Sequence, residues 1–315
     1  MRTSVAIPQA FRDRFQALLG NELEAFLDCL AQPPTAFLRI NTLKIPVDEG
    51  LARLAALGIE AVPLPWFAEG FRVTGPHDQL PRSREHSLGY FYIQEGASMI
   101  PPVALDPAPH HQVLDLCAAP GSKTTQMAQM MRNQGAIVAN DYSLRRLVSL
   151  SHNLESCGVV NTLVLWQNGL HLPKVLSLRF DRVLVDAPCT ASGQLRSKPP
   201  KYETSDPKRL SHLQAIQKQL LTAGFQCLKP DGLLIYSTCS LHPEEDEDVV
   251  QNLLDQIPEA MLLEARVPSL VSHPGLSMWQ NHQYAQDMQR CLRIWPQDND
   301  TDGFFLAPIG RSDSQ

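Results

Sequence analysis

Two cysteines of this 315-residue chain stand just past short apolar runs. Phe180-Asp181-Arg182-Val183-Leu184-Val185-Asp186 leads into Ala187-Pro188-Cys189, and Gly232-Leu233-Leu234-Ile235-Tyr236-Ser237 leads into Thr238-Cys239-Ser240. A thiolate is the strong nucleophile among side chains at neutral pH. It suits addition to an electron-poor ring, where no leaving group is available at first. Most cysteines are small buried apolar residues, but two of them with Asp186 at strand ends are hard to explain as packing. A third segment, Asp115-Leu116-Cys117-Ala118-Ala119-Pro120-Gly121-Ser122-Lys123-Thr124, sets small residues and a glycine between a strand and a helix. Backbone can approach a ligand closely there. It is neither the dinucleotide Gly-x-Gly-x-x-Gly nor a phosphate loop, because Gly-Ser-Lys-Thr lacks the earlier glycine. A plain tight turn is the alternative. Asp141 ends the next strand, where an acid can accept both ribose hydroxyls of a nucleoside; a helix cap is the alternative.

These residues need a scaffold, and the pattern from about residue 110 supplies one. Strands are expected over 112–116, 136–141, 162–165, 180–186 and 232–237. Helices are expected from Thr124, from Ser143 and over 210–228. The alternation predicts an α/β fold, a doubly wound and mostly parallel sheet with helices on both faces. Ligands in such sheets bind beyond the carboxyl ends of the strands, near the switch point. Each segment above falls on such an end, and the strands carrying Cys189 and Cys239 are expected to be neighbours. Before this lies a smaller α+β unit. Phe11, Phe15, Leu18, Leu19, Leu23 and Phe26 recur at helical spacing over 8–31, ahead of the break at Gln32-Pro33-Pro34. A strand over 36–41, a helix over 47–57 and strands at 60–64 and 70–73 follow. The expected division is 1–95 for this N-terminal domain and 96–315 for the larger one.

Hydrophobic residues make up 43% of the chain and charged ones 19%, which is enough to bury a core. No apolar run approaches the roughly 18–20 residues of a membrane span. Met1-Arg2-Thr3-Ser4 leads into an amphipathic pattern rather than a signal core. The expected location is the cytoplasm. The seven cysteines are odd in number and form no Cys-x-x-Cys, which argues against a disulfide framework or a structural zinc; no metal is expected. A net charge of −6 counts against a non-specific nucleic-acid binder. A local basic groove remains open, since Arg39 and Lys44 form one group, Arg82 and Arg84 another, and Arg196, Lys198, Lys201, Lys208 and Arg209 the densest. A solvated face is the alternative for such a run.

The chain resembles the RNA 5-methylcytosine methyltransferases of the NOP/Sun family. The segments carrying the resemblance are Phe37-Leu38-Arg39-Ile40-Asn41-Thr42-Leu43-Lys44, Tyr92-Ile93-Gln94-Glu95-Gly96-Ala97-Ser98, Asp115 to Thr124, Asp186 to Cys189, Tyr236 to Ser240 and Gly303-Phe304-Phe305. The resemblance implies a class I, Rossmann-like methyltransferase domain and S-adenosylmethionine as cofactor. It implies that Cys239 attacks carbon 6 of the target cytosine and that Cys189 assists proton loss at carbon 5 and enzyme release. Asp186 would hydrogen-bond the base near its ring nitrogen 3, and Lys123 would orient both. The cofactor would contact Cys117, Ala118, Ala119, Pro120, Gly121, Ser122, Lys123, Asp141, Asn168 and Asp186. Arg39 and Asn41 match the RNA-contacting strand, and the run with Arg196, Lys198 and Lys201 is expected to line the RNA cleft. The target base must leave its stack to enter such a pocket.

Asn168 stands where the family usually has an aspartate, and Thr190-Ala191-Ser192-Gly193 replaces a common Ser-Gly-x-Gly. The chain ends soon after Phe305, whereas some members carry a further carboxyl-terminal RNA-binding domain. The expected function is cytidine carbon-5 methylation of RNA, ribosomal rather than transfer RNA by the resemblance. A transfer-RNA enzyme and a non-enzymatic subunit that keeps the cofactor fold are the alternatives. A methyltransferase of protein or small molecules fits less well, because two active-site thiols are not needed there and no Asn-Pro-Pro-Tyr motif follows the fourth strand. No protein partner is indicated.

Overall fold

A computed structural model describes residues 7–196 and 206–312. The first amphipathic stretch forms two helices, Gln9–Leu19 (α1) and Leu23–Ala31 (α2), rather than the continuous helix expected over 8–31. Gly20, at φ 54°, opens the turn between them, a conformation that favours glycine. Phe11, Phe15, Leu23 and Phe26 pack beneath Trp295. Next come Ala36–Ile40 (β1), Val47–Ala56 (α3), Glu60–Leu64 (β2), Phe67–Thr74 (β3), Arg84–Ser87 (α4) and Phe91–Ile93 (β4). The four strands make an antiparallel sheet in the order β2-β3-β1-β4.

The larger sheet follows. Its elements are Ile100–Leu105 (α5), Gln112–Asp115 (β5), Ser122–Met130 (α6), Ala136–Asp141 (β6), Leu144–Cys157 (α7) and Thr162–Trp166 (β7). They continue with Leu172–Val175 (α8), Phe180–Asp186 (β8), Pro207–Gln226 (α9), Leu228–Thr238 (β9) and Glu247–Gln256 (α10). Strands β7-β6-β5-β8-β9 run parallel, in that spatial order. The order reverses at β5, so the switch point lies between the ends of β5 and β8. Beyond β10 (Ala260–Leu262) come β11 (His273–Pro274), the hairpin β12 (Met278–Trp279) and β13 (His282–Gln283), β14 (Leu292–Ile294), α11 (Pro296–Asn299) and β15 (Phe304–Arg311). Strand β15 pairs antiparallel with β9, and β14 and β11 extend that edge. This antiparallel extension was not part of the sequence expectation.

Side-chain alternation divides the core into two layers. Val113, Ile137, Leu184, Ile235 and Leu306 face Ile100 and Met127 on one side of the sheet. Leu114, Val138, Val183, Val185, Tyr236 and Phe305 face Leu220, Leu221 and Phe225 of α9 and Val249 of α10 on the other. Helices cover both faces, and the strand ends open onto a cleft.

The N-terminal sheet joins the larger unit through a polar seam. Arg39 of β1 is fully buried; it donates to Thr125 Oγ1 at 2.8 Å, to Gln94 Oε1 at 3.3 Å and to Gln129, and lies over the Tyr92 ring. Asn41, equally buried, donates to the carbonyls of Gly89 and Cys157, both at 2.8 Å. This corrects the expectation that the two contact RNA: enclosed and hydrogen-bonded to protein, they are beyond the reach of a phosphate. Among the described residues no helix is long and apolar enough to cross a membrane.

Candidate active site

The cleft is built where β5, β8 and β9 end. After β5 the chain passes through a loop with a cis Ala119–Pro120 bond and Gly121 at φ 110° before α6 starts at Ser122. A Cβ on Gly121 would come within 2.8 Å of Leu150 Cδ1, so both conformation and space call for glycine. The loop opens a cavity of about 220 Å³ lined by Cys117, Ala118, Lys123, Asp186, Cys239 and Phe304, among others.

Lys123 Nζ donates to Asp186 Oδ2 at 2.7 Å, and Ser237 Oγ donates to Asp186 Oδ1 at 2.9 Å. The register of β8 against β9 places Asp186 opposite Ser237. Lys123 also lies over the Phe304 ring. Burial pulls the lysine down, but the Asp186 carboxylate more than offsets it and holds the ammonium above its ordinary value. Three residues beyond Asp186 and two beyond Ser237, Cys189 and Cys239 meet with their sulfurs 3.3 Å apart. The hydrogen bond to Cys239, and then burial, push the Cys189 thiol well up. The adjacent strands and paired thiols expected from sequence are thus present.

Asp115 sits at the floor of the cavity. Its Oδ2 accepts from Thr124 Oγ1 at 2.7 Å, and its buried Oδ1 has no hydrogen-bond partner among the described residues. Burial raises its carboxyl to about 7. An unpartnered buried acceptor is costly, so this oxygen fits a ligand bearing hydrogen-bond donors. Asp141 accepts from the backbone N–H of Ala119 and Ser143 and pairs with Arg146 at 3.1 Å. It braces the loop and is not among the residues lining the cavity. Asn168 caps a short turn by accepting from Leu170 N and stands apart from the cavity lining. Cys117 lines the cavity, but burial drives its thiol up, so it contributes surface rather than a nucleophile.

Arg196 is 5% exposed, pairs with Asp300 at 2.7 Å and donates to the Pro33 carbonyl. The expectation that it lines an RNA cleft is therefore corrected: its guanidinium is engaged within the protein. Lys198 and Lys201 lie outside the described residues. Sequence reasoning missed three contributors. Glu95 and Asp302 line the cavity from the N-terminal linker and the segment before β15, with Asp302 N donating to Glu95 Oε1 at 2.8 Å. Burial, then the Asp302 carboxylate, push Glu95 up. Glu245 lies behind the thiols and accepts from Thr190, Ser240 and Gln217. Only the acid-rich run Glu244-Glu245-Asp246-Glu247 signalled it, and such a run reads locally as a solvated helix start.

Comparison with known proteins agrees with this geometry. Residues 102–310 match the family model described as 16S rRNA methyltransferase RsmB/F, and residues 7–96 match that of the N-terminal domain of 16S rRNA methyltransferase RsmF. A Pyrococcus abyssi protein named tRNA (cytosine(49)-C(5))-methyltransferase is 40% identical over 290 residues, 92% of each chain. A Cronobacter sakazakii protein named ribosomal RNA small subunit methyltransferase F is 37% identical over 319 residues, 99% of this chain and 64% of its own. The chain thus spans about two thirds of the length of that relative. A crystal structure of a methyltransferase homolog protein from Pyrococcus horikoshii superposes with a TM-score of 0.85 at 36% identity, covering 97% of this chain and 95% of that one.

Proposed function

This chain belongs to the 16S rRNA methyltransferase RsmB/F family, and on that footing we propose that it methylates RNA at carbon 5 of cytidine, using S-adenosylmethionine. The observation that carries the reading is the pair of thiols 3.3 Å apart beside the Lys123–Asp186 ion pair. A pyrimidine ring is electron-poor at carbon 6, and a thiolate is suited to add there. The bond from Cys239 sulfur to carbon 6 pushes electron density onto carbon 5. S-adenosylmethionine supplies an electrophilic methyl group. Asp186, held by Lys123 and Ser237, offers an oxygen to the base edge and stabilises charge as it develops. Once carbon 5 carries both a methyl group and a proton, that proton must leave before the sulfur–carbon bond can break. Cys189 assists that removal, the ring electrons return, and Cys239 departs as thiolate. Residues 117–123, Asp141 and Asp186 are proposed to hold the cofactor, with the free Asp115 Oδ1 as a further acceptor. Asn168 is a more distant contributor.

Ribosomal RNA is the proposed substrate class, supported by the family descriptions. The relative matched over 92% of both chains is named as a transfer-RNA enzyme, and this favours transfer RNA as the second reading. The cytoplasm, and a division into units 1–95 and 96–315, complete the proposal. Incubating purified protein with RNA and S-adenosylmethionine tests the chemistry. Cys189→Ala should leave a denaturation-resistant protein–RNA band that depends on S-adenosylmethionine; Cys239→Ala and the double variant should leave none. A band from Cys239→Ala alone reverses the roles, and methylation intact in both single variants ends the two-thiol mechanism. Bisulfite sequencing of total RNA with and without the protein then identifies the class of RNA.

A further inference from the structure

Both thiol-bearing loops hang from one side chain that takes no part in the steps above. Glu245 is fully buried, and its two carboxylate oxygens accept four hydrogen bonds. Oε1 takes the Thr190 backbone N–H at 2.9 Å and Gln217 Nε2 at 3.0 Å. Oε2 takes Ser240 Oγ at 2.6 Å and the Thr190 hydroxyl. Thr190 directly follows Cys189, and Ser240 directly follows Cys239. Gln217 of α9 also donates to the Pro188 carbonyl at 2.8 Å, and Tyr236 OH donates to the Glu245 carbonyl at 2.6 Å. The carboxylate therefore touches each loop one residue past its thiol.

We propose that Glu245 is a positioning residue that clamps the Cys189 and Cys239 loops together and so sets which thiol attacks. An ionised carboxylate offers about four acceptor sites, and here all of them are used. Burying that charge is expensive unless the donor set is complete, which ties the loops to one geometry. An amide in its place removes the charge and makes the Thr190 and Ser240 hydroxyls turn from donors into acceptors. The charged and titratable groups around the thiols make the pair asymmetric as well. Lys123 acts on the Cys239 side, whereas Glu245 opposes an anion on Cys189; Asp186 lies on the cleft side, and Tyr236 and Asp246 lie behind. The clamp thus holds the Cys189 thiol 3.3 Å from the Cys239 sulfur. This role rests on the two-thiol reading above.

The test uses the full chain without RNA, so the clamp is probed apart from methylation. Alkylation of Cys239 by iodoacetamide is followed against pH by peptide mass, in wild type, Glu245→Gln and Glu244→Gln. Glu244 pairs with Arg14 on the protein flank and serves as the neighbouring control. Glu245→Gln should still unfold cooperatively; with the Cys189 loop released, the Cys239 sulfur loses its thiol neighbour, a loss that outweighs the relief of the carboxylate's charge, so Cys239 should alkylate about tenfold more slowly at pH 7, its profile moved up by about one pH unit. Glu244→Gln should follow wild type. Simple loosening would act with the opposite sign, because an exposed thiol reacts faster. A wild-type profile, or a faster reaction, in Glu245→Gln overturns the proposal. Should that variant not fold, Thr190→Val removes one donor from the same carboxylate and should slow alkylation about two- to threefold; no change there overturns it equally. Wild-type protein that methylates no RNA sinks the catalytic reading, and with it the use assigned to the clamp.

Discussion

The cleft and the seam are built from similar polar residues and use them in opposite ways. In the seam every polar group is matched to protein: Arg39 to Gln94, Thr125 and Gln129, Gln94 to Gln126 at 2.7 Å, Gln126 to the Met99 carbonyl at 2.9 Å and Gln129 to the Ile40 carbonyl at 3.1 Å. In the cleft, capacity is left over. Among the described residues Asp115 Oδ1 has no partner, Asp186 is shared between an ammonium and a hydroxyl, and four acids line the cavity with one lysine. Buried polar groups with complete partner sets hold units together; incomplete sets facing a cavity await a ligand. A buried cation therefore has to be judged by its partners, and Arg39 and Lys123 fall on opposite sides of that line.

The largest expected effect separates those two residues. Lys123→Met should lower methyl transfer roughly 100- to 1000-fold, as removal of a charge-stabilising donor does, with a smaller loss of stability than Arg39→Met. A loss of activity fully explained by unfolding would move Lys123 into the class of the seam. Arg39→Met should lower the unfolding free energy in urea by about 2–4 kcal/mol, because Gln94, Gln129 and Thr125 lose a partner in a buried site. Its RNA affinity should keep the wild-type dependence on salt; a flatter slope would return Arg39 to the RNA surface. Asp141→Ala should weaken S-adenosylmethionine binding by about 1–3 kcal/mol by calorimetry, and an unchanged affinity removes Asp141 from the site.

The smallest effect is a difference in slope. Burial raises the Asp115 carboxyl to about 7 in the folded state, against about 4 when unfolded. Between those values the folded chain holds a proton that the unfolded chain has released. The contribution of this group to stability is thus greatest below about pH 4, falls as pH rises toward 7 and is level above. The loss is at most about 1.4 kcal/mol per pH unit. Asp115→Asn removes it, so thermal unfolding from pH 4 to 8 should show the variant gaining on wild type as pH rises. Parallel curves would mean that Asp115 is ionised throughout and that the cleft is wetter than its burial implies.

Much of the scaffold was legible because its signals are local. The strands of the parallel sheet are short apolar runs, and their ends carry the punctuation of turns: Pro-Gly after β5, Pro-Cys after β8, Thr-Cys-Ser after β9. Strand β15 was not legible. It is buried along Phe304–Gly310 and includes Pro308, which a period-based reading treats as a breaker, and Gly310. With β15 unread, Asp302 and Phe304 could not be assigned to the cleft wall.

What the sequence determined by itself was the α/β class, the strand ends at which the cavity opens and the two cysteines that stand there, since each depends on residues within one strand, turn and helix. Tertiary structure alone decided which charges are free. Arg39 finds its partners 55 to 90 positions away, Arg196 finds Asp300 across 104, and Cys189 meets Cys239 across 50. Burial and hydrogen-bond partnership are properties of segments brought together from distant parts of the chain. For that reason a basic residue beside a motif can be the ligand's partner or the fold's, and only the packed molecule distinguishes them.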